Sequence, residues 1–477
     1  MEENLKKQTK LGVFWSAIQR FSTQGLQFLI TLVIARFLTP SDYGIIGMLG
    51  IFLSVASVFV DCGFTNALIR KQERNQHDCS TVFFFNIGIA VLSYLILFTA
   101  APFVASFYNM PVLKNVLRVI SLMLIINSFS AVQATLLTSQ LDFKSQTQIS
   151  IISISISGII GITLAINGVT YWTLVVQGLV SSSISSFLYW RYSSWRPSLV
   201  FSRQSFKEMF SFGSKLLASS LIDSLYNNIY PIIIGKVYSA STLGNYSRAE
   251  SYANFPSISI TGILQRVTYP LLCKMQASEG QLAYTYRKML KLSAFVIFPL
   301  MMGLSALARP FVVIIIGTQW EFCAVLLQIL CFSLMWYPIQ AINLSLLQVK
   351  GRTDLSLRLE IIKKIIGVII LCVSIPLGIV YVCYFRIVFS VICLFVNTYY
   401  TGKMIHVGIF KQLNDIMPTF LIAISMFALI LFITNQIPNL YIQMIVGICV
   451  GSLFYALTSY LFNRDEFNTL LSLTKIN

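Results

Sequence analysis

Residues 32–44 read LVIARFLTPSDYG, and residues 232–244 read IIIGKVYSASTLG. Each segment joins an apolar run to a basic residue, a short stretch of turn-forming residues and a glycine. The residues that match at an offset of 200 are Arg36 with Lys236, Ser41 with Ser241, and Gly44 with Gly244. Similarity at a fixed offset indicates that the chain contains two copies of one structural unit.

Two further landmarks follow in the same order along both copies. APFV at 101–104 matches RPFV at 309–312, and the Leu-Leu pair at 136–137 matches the pair at 346–347. Six apolar runs separate the copies, and an even number means that both enter a membrane in the same direction. We therefore expect a pseudo-two-fold axis along the membrane normal, with a solute path between the two copies.

The composition indicates that lipid is the main solvent of this chain. Of 477 residues, 56% are hydrophobic and 11% are charged, whereas soluble domains carry about 25% charged residues. A helix needs about 20 apolar residues to cross a bilayer. The sequence contains fourteen such runs: 12–37, 43–69, 80–104, 112–138, 147–167, 170–191, 209–236, 242–272, 288–316, 320–348, 360–380, 381–401, 417–435 and 440–462.

The predicted fold is therefore an all-α polytopic membrane protein with about fourteen transmembrane helices. We expect an N-terminal lobe over 1–200, a C-terminal lobe over 201–405, and two extra helices with a tail over 406–477. Each lobe holds six spans. The first apolar run lacks the features of a cleaved signal, so we expect it to be retained as the first span.

The basic residues predict the orientation. With the N-terminus in the cytoplasm, 24 of the 34 Lys and Arg residues fall on the cytoplasmic side, 7 on the opposite side and 3 within spans. The positive-inside rule then places both termini in the cytoplasm. The net charge of +17 is therefore explained by topology, and we expect no nucleic-acid partner.

Motifs for covalent chemistry are missing from the sequence. It has no GxxxxGK[ST], HExxH or GxSxG motif, so we expect neither a built-in ATPase nor an enzyme. The nine Cys form no CxxC pair and the two His lie far apart, so we expect no metal site and no cofactor. The driving force is then an ion gradient (H⁺ or Na⁺), the gradient of the solute, or a partner.

Polar and charged residues recur at helical spacing inside two of the apolar runs. Lys215, Ser219, Asp223 and Asn227 follow one another at intervals of four in the seventh run, which places them on one helix face. In the first run, Arg20, Gln24 and other polar residues also share a face. Charged groups at this depth usually face a cavity or each other.

We predict from these residues two kinds of site. The predicted substrate-binding residues are Arg20, Gln24, Lys215, Asn227, Arg248 and Arg266. The predicted ion-coupling residues are Asp61 and Asp223. Spare positive charge favours an anionic solute such as a phosphate or pyrophosphate. The alternative is structural pairing, such as Lys215 with Asp223 or Asp61, and Arg248 with Glu250.

The stretch LGVFWSAIQRFSTQGLQFLITLVIARFLTPSDYGIIGM at 11–48 resembles the start of the Wzx-type flippases, the polysaccharide exporters of the multidrug/oligosaccharidyl-lipid/polysaccharide superfamily. Other segments that resemble this family are LTSQLDFKSQ at 137–146, LGNYSRAESYANFP at 243–256, VTYPLLCKMQ at 267–276 and VKGRTDLSL at 349–357. The resemblance extends over essentially the whole chain.

The resemblance implies two six-helix lobes and alternating access. It implies flipping of an undecaprenyl-pyrophosphate-linked oligosaccharide from the cytoplasmic to the periplasmic leaflet of the inner membrane, for a polymerase and export machinery to use. In related flippases, arginines of the central cavity hold the pyrophosphate, and Arg20 and Arg248 lie in comparable regions here. The alternatives are a multidrug or cation exporter of the same superfamily, which would favour an acidic cavity, and a membrane enzyme.

Overall fold

The fold was obtained as a computed structural model that describes residues 22–71 and 73–474, with side chains described as far as Thr469. Every regular element within those residues is a helix. The chain divides into two compact units, Met1–Gly244 and Asn245–Asn477. The lobe boundary at residue 200 came from the internal repeat, and it stays a prediction.

The first unit contains eleven helices of the described chain and the start of a twelfth. They are α1 (22–37), α2 (Pro40–Asp61), α3 (Phe64–Arg70), α4 (Gln76–Phe107), α5 (Val112–Ile120), α6 (Leu122–Ser128), α7 (Ala131–Ser139), α8 (Phe143–Ile166), α9 (Trp172–Tyr192), α10 (Arg203–Asn227), α11 (Ile229–Val237) and the beginning of α12 (Ala240–Met275).

The second unit continues with the remaining helices. They are α13 (Glu279–Ala306), α14 (Ala308–Ile316), a 3₁₀ turn (Thr318–Trp320), α15 (Glu321–Leu334), α16 (Tyr337–Val349), α17 (Thr353–Ser374), a second 3₁₀ turn (Ile375–Leu377), α18 (Ile379–Ile405), α19 (Ile409–Thr434), α20 (Leu440–Phe462) and α21 (Arg464–Thr474).

The prediction of an all-helical polytopic membrane protein is confirmed. Within the described residues, eight helical segments are long and apolar enough to cross a membrane, and the bent segment from Val112 to Ser139 makes a ninth. Four more helices (α9, α10, α12 and α17) have 21 to 36 residues, but their sequences are more polar. The count of fourteen spans therefore stays a prediction.

The repeated motif encodes a helix start in both copies. Thr39 caps α2: its hydroxyl accepts from the Asp42 amide at 3.4 Å, and the Asp42 carboxylate accepts from the Thr39 amide at 2.8 Å. The hydroxyl of Ser239, 200 residues later, accepts from the Thr242 amide at 3.1 Å. Both caps satisfy amides that an α-helix leaves unpaired in its first turn.

The two glycines of the motif form a reciprocal backbone contact inside the first unit. A Cβ added at Gly44 would overlap the Ala240 carbonyl, and a Cβ added at Gly244 would overlap the Pro40 carbonyl. Residue 40 corresponds to 240 at the repeat offset, as 44 corresponds to 244. Each copy of the motif therefore presents the same surface to the other, which is the pattern of an isologous contact.

A buried polar network joins four helices of the second unit. Asn343 of α16 accepts from the hydroxyls of Tyr286 (α13) and Thr401 (α18), at 2.8 and 2.9 Å. Its amide donates to Gln412 of α19 at 3.2 Å. The four side chains are at most 1% exposed, so their hydrogen bonds replace those lost to water.

Candidate functional site

Helix α10 is the centre of the candidate site, because it presents one exposed polar face and a second face that packs against α2. Four of its side chains are exposed and recur at intervals of four residues: Lys215, Ser219, Asp223 and Asn227. We call this set the polar face of α10. The second face is directed toward α2 and carries Gly213, Leu217, Ser220 and Ser224, and it continues to Asn228 just after the helix.

The polar face of α10 carries a cation without an anionic partner. Lys215 forms no ion pair with any acid in the described part of the chain. The alternative that Lys215 is neutralised by Asp223 or Asp61 is therefore wrong for this conformation. Lys215 lies twelve residues after the start of α10 at Arg203, about 18 Å along the helix axis.

Two glycines let α10 approach α2 closely beside Asp61. Gly63 has φ +70°, and a Cβ there would lie 2.8 Å from the Gly213 carbonyl oxygen. A Cβ at Gly213 would in turn overlap the Cys62 carbonyl. Since a left-handed φ and such close backbone contact both favour glycine, this corner determines where α10 crosses the end of α2.

Hydrogen bonds continue the contact between the two helices. Ser224 donates to the Ser54 hydroxyl at 3.0 Å, and the Asn228 amide donates to the same oxygen at 3.1 Å. Ser54 in turn donates to the Ile51 carbonyl at 3.1 Å. Ser54 of α2 is therefore in contact with the C-terminal end of α10.

Asp61 borders a small polar cavity between α2 and α10. The cavity has a volume of about 220 Å³ and is lined by Ser57, Val58, Asp61, Gly63, Leu217 and Ser220. The Asp61 carboxylate accepts a hydrogen bond from Thr65, and no ion pair of the described chain involves it. An ionisable carboxylate with hydroxyl neighbours and no paired cation can exchange a proton or bind a cation.

The two candidate arginines of α12 lie far apart. Arg248 is half-buried, while Arg266 is exposed. Eighteen residues separate them, which corresponds to about 27 Å along the axis. A single pyrophosphate is much shorter, so it can contact only one of them at a time. Arg248 lies within electrostatic range of Cys323 in α15.

Glu250 pairs with Arg386 of α18 in the second unit. Arg386 Nη1 lies 2.5 Å from Glu250 Oε1 and also donates to the Tyr246 hydroxyl. The side chains of Arg386 and Glu250 are 16% and 26% exposed. The alternative partner of Glu250 predicted from the sequence was Arg248. In the sequence, the one hint of this pair is that Arg386 lies seven residues into the apolar run that begins α18.

Two predicted residues remain to be placed. Gln24 is exposed on α1, as a cavity-lining side chain would be. Arg20 lies outside the described residues, so its predicted role in substrate binding stays a prediction. The roles of Gln24, Lys215, Asn227, Arg248, Arg266, Asp61 and Asp223 stay predictions as well.

Comparison with known proteins identifies relatives along the whole chain. The family model described as "Polysaccharide biosynthesis protein" matches residues 33–325. The teichuronic acid biosynthesis protein TuaB of Bacillus subtilis is 25% identical over 95% of each chain. The succinoglycan biosynthesis transport protein ExoT of Rhizobium meliloti is 24% identical over 99% of this chain and 96% of its own. The lipopolysaccharide biosynthesis protein WzxC of Escherichia coli is 25% identical over 76% of this chain and 74% of its own.

Solved structures share the fold. The lipid II flippase MurJ in an inward closed conformation superposes with a TM-score of 0.76 at 15% identity, covering 95% of this chain and 99% of its own. An inward-facing multidrug transporter of the MATE family and MOP superfamily gives a TM-score of 0.61 at 15% identity, covering 81% of this chain and 98% of its own. These likenesses confirm the predicted fold class.

Proposed function

On the premise that this chain belongs to the polysaccharide biosynthesis protein family, we propose that it is a flippase for a lipid-linked oligosaccharide. The solute is an undecaprenyl-pyrophosphate-linked glycan, which moves from the cytoplasmic to the periplasmic leaflet by alternating access. Its relatives carry names from teichuronic acid, lipopolysaccharide and succinoglycan biosynthesis, which supports a polysaccharide precursor as the solute.

The observation that carries the proposal is the polar face of α10. An unpaired lysine in the middle of a helix costs about 3 kcal/mol if it faces lipid. Three more polar residues share the face of Lys215, so the free-energy cost of exposing the whole face to lipid would be larger still. A hydrated path along α10 removes that cost, and a flippase needs such a path for the head group of its substrate.

The charge of the site favours a pyrophosphate head group. Lys215 is exposed without an ion pair in the described chain, and Arg266 is exposed on α12. Fixed cations replace the solvation that a pyrophosphate loses when it leaves water. Because Arg248 and Arg266 are about 27 Å apart along α12, they would meet the head group at different stages of its passage.

Coupling to an ion gradient would use Asp61 and Asp223. Asp61 lies in the small cavity beside Ser57 and Ser220, while Asp223 lies on the exposed polar face of α10. Asp61 lies on α2 and Asp223 lies on the polar face of α10. One carboxylate can therefore take up H⁺ or Na⁺ while the other faces the solute path. The protein would act as a transporter without covalent chemistry, in the cytoplasmic membrane of a bacterium, with both termini in the cytoplasm.

The proposed function is tested by the fate of the lipid-linked intermediate in a deletion strain. We expect undecaprenyl-pyrophosphate-linked oligosaccharide to accumulate where only cytoplasmic reagents reach it, and surface polysaccharide to disappear. A plasmid copy of the wild-type gene should reverse both effects.

The cation-exporter alternative makes the opposite prediction. A deletion strain that keeps its surface polysaccharide but becomes sensitive to cationic drugs would contradict the flippase assignment. A membrane enzyme would instead leave a lipid-linked glycan chemically altered in detergent, without any bilayer.

A further inference from the structure

A cavity lined by charged side chains lies within the second unit. It has a volume of about 560 Å³ and is lined by Tyr284, Arg287, Lys288, Lys291, Leu292, Asp465, Glu466, Asn468 and Thr469. Small-molecule sites in proteins usually enclose 300–1,000 Å³. The site described above uses none of these residues.

The cavity has two walls of opposite charge. Its cations, Arg287, Lys288 and Lys291, all lie on α13, whereas its acids, Asp465 and Glu466, lie on α21. Behind the basic wall, Arg287 binds Asp415 of α19 through two contacts of 2.6 Å. Asp415 is buried, so this pair anchors α13 to α19.

One cation and one acid of the cavity remain unpaired. Lys291 lies 3.8 Å from Asp415 and 3.9 Å from Glu466, which links the two walls. Lys288 and Asp465 are both exposed, and neither has an ion pair within the part of the chain that the structure describes. They are therefore more than 4 Å apart across a shared space, and each can bind a group of opposite charge.

The cavity lies where the apolar runs of three helices end, as expected at a membrane interface. In α13 the last charged residue is Lys291, and an uncharged apolar run follows to Ala306. In α19 the last charged residue is Asp415, and α20 ends at Phe462 just before α21. Leu461 and Phe462 are 70% and 74% exposed, so the cavity adjoins a surface suited to acyl chains. The 70% exposure of Tyr284 also fits the aromatic belt of a bilayer interface.

We propose that this cavity binds the zwitterionic head group of a phospholipid, of the phosphatidylethanolamine type. The phosphodiester is bound by the basic wall on α13 through Lys288 and Arg287. The ammonium is bound by the acidic wall on α21 through Asp465 and Glu466. A purely anionic lipid is disfavoured because its second negative group would face the acidic wall, and phosphatidylcholine is disfavoured because its quaternary ammonium has no N–H donor.

The test is lipid titration of the purified full-length protein, read out by native mass spectrometry. We expect phosphatidylethanolamine to bind roughly fivefold or more tightly than phosphatidylglycerol or phosphatidylcholine, since each wall contributes about one exposed ion pair. Lys288→Ala and Asp465→Asn should each weaken phosphatidylethanolamine binding by roughly fivefold. Both side chains are exposed, so melting in lipid-free detergent should match that of the wild type.

Matched variants outside the cavity provide the controls. Lys274→Ala and Glu73→Gln remove the same charges from other exposed positions, and they should bind phosphatidylethanolamine as the wild type does. Equal binding of the three lipids, or equal losses in the cavity and control variants, would overturn the proposal. Tight binding of free phosphoethanolamine would overturn it too, because the ligand would then be a soluble molecule. The readout needs no transport, so it is independent of the flippase assignment.

Discussion

At the scale of single residues, Lys215 is the side chain on which the proposed transport depends most directly. Its ammonium is exposed on α10, and a phosphate that contacts it gains a charge-assisted hydrogen bond. We expect Lys215→Ala to lower the transport rate about tenfold or more, and Lys215→Arg to keep much of it. Surface polysaccharide at native expression measures the effect.

Lys207→Ala is the matched control for this change, because Lys207 is exposed in the first turns of the same helix. Normal glycan display with Lys215→Ala would mean that Lys215 does not contact the solute.

Asp61 and Asp223 carry the prediction on ion coupling. Asp61→Asn keeps the size of the side chain and its ability to accept from Thr65, but it removes the titratable group. We expect transport in vesicles to lose its dependence on a proton or sodium gradient in Asp61→Asn, in Asp223→Asn, or in both. If both variants respond to the gradient as the wild type does, neither residue is a coupling site.

The Glu250–Arg386 pair makes a prediction about stability. Removing one member of a largely buried ion pair leaves an uncompensated charge, which typically costs about 3–5 kcal/mol. Glu250→Gln should therefore lower the free energy of unfolding by about 3 kcal/mol, and the melting temperature should fall.

The double variant Glu250→Gln with Arg386→Gln leaves no unpaired charge, so it should melt closer to the wild type than the single variant does. A single variant as stable as the wild type would contradict the assigned pairing.

At the scale of helices, the reciprocal glycines allow α2 and α12 to begin against each other within the first unit. A methyl group at Gly44 or Gly244 meets a backbone carbonyl that cannot rotate away. We expect Gly44→Ala and Gly244→Ala each to destabilise the protein by about 1–3 kcal/mol, as measured by thermal unfolding in detergent.

Gly88→Ala in α4 is the control, because a Cβ there meets nothing within 4 Å. It should be neutral or stabilising by about 1 kcal/mol, since alanine favours the helix more than glycine does. Equal effects of the three substitutions would indicate that the glycine contact is unimportant.

The periodicity of the sequence was sufficient to predict the polar face of α10. Four residues at intervals of four define one side of any helix, so no tertiary information was needed to bring Lys215 and Asp223 to that side. The Glu250–Arg386 contact could not be predicted in this way. Its residues are 136 positions apart, and several acids and cations were available as partners at comparable positions.

The cavity beside Asp61 could not be predicted from the sequence either. It depends on the left-handed φ of Gly63 and on the close approach of Gly213, and neither leaves a periodic signal. The span count was uncertain for a related reason. Helices such as α10 and α12 contain more polar residues than α19 does, so hydropathy identifies them less clearly as spans.

At the scale of the whole molecule, the predicted topology follows from the division of basic residues. Because the fourteen predicted spans place 24 of the 34 basic residues on the cytoplasmic side, reporter fusions after Asn4 and after Lys475 should both be active as cytoplasmic reporters. A fusion between residues 108 and 111, in the loop after α4, should be active only as a periplasmic reporter. A periplasmic C-terminus would mean that the number of spans is odd.

The contact between the two copies of the motif also has a consequence for ancestry. Because residue 44 meets residue 240 while residue 244 meets residue 40, the contact is one that two identical chains could form with each other. A gene encoding a single copy would already have specified this contact, as a homodimer, before duplication and fusion joined the copies in one chain. After fusion the two surfaces were free to diverge in every residue except where backbone touches backbone. The basic residue of the motif is arginine at 36 and lysine at 236, while glycine stands at both 44 and 244.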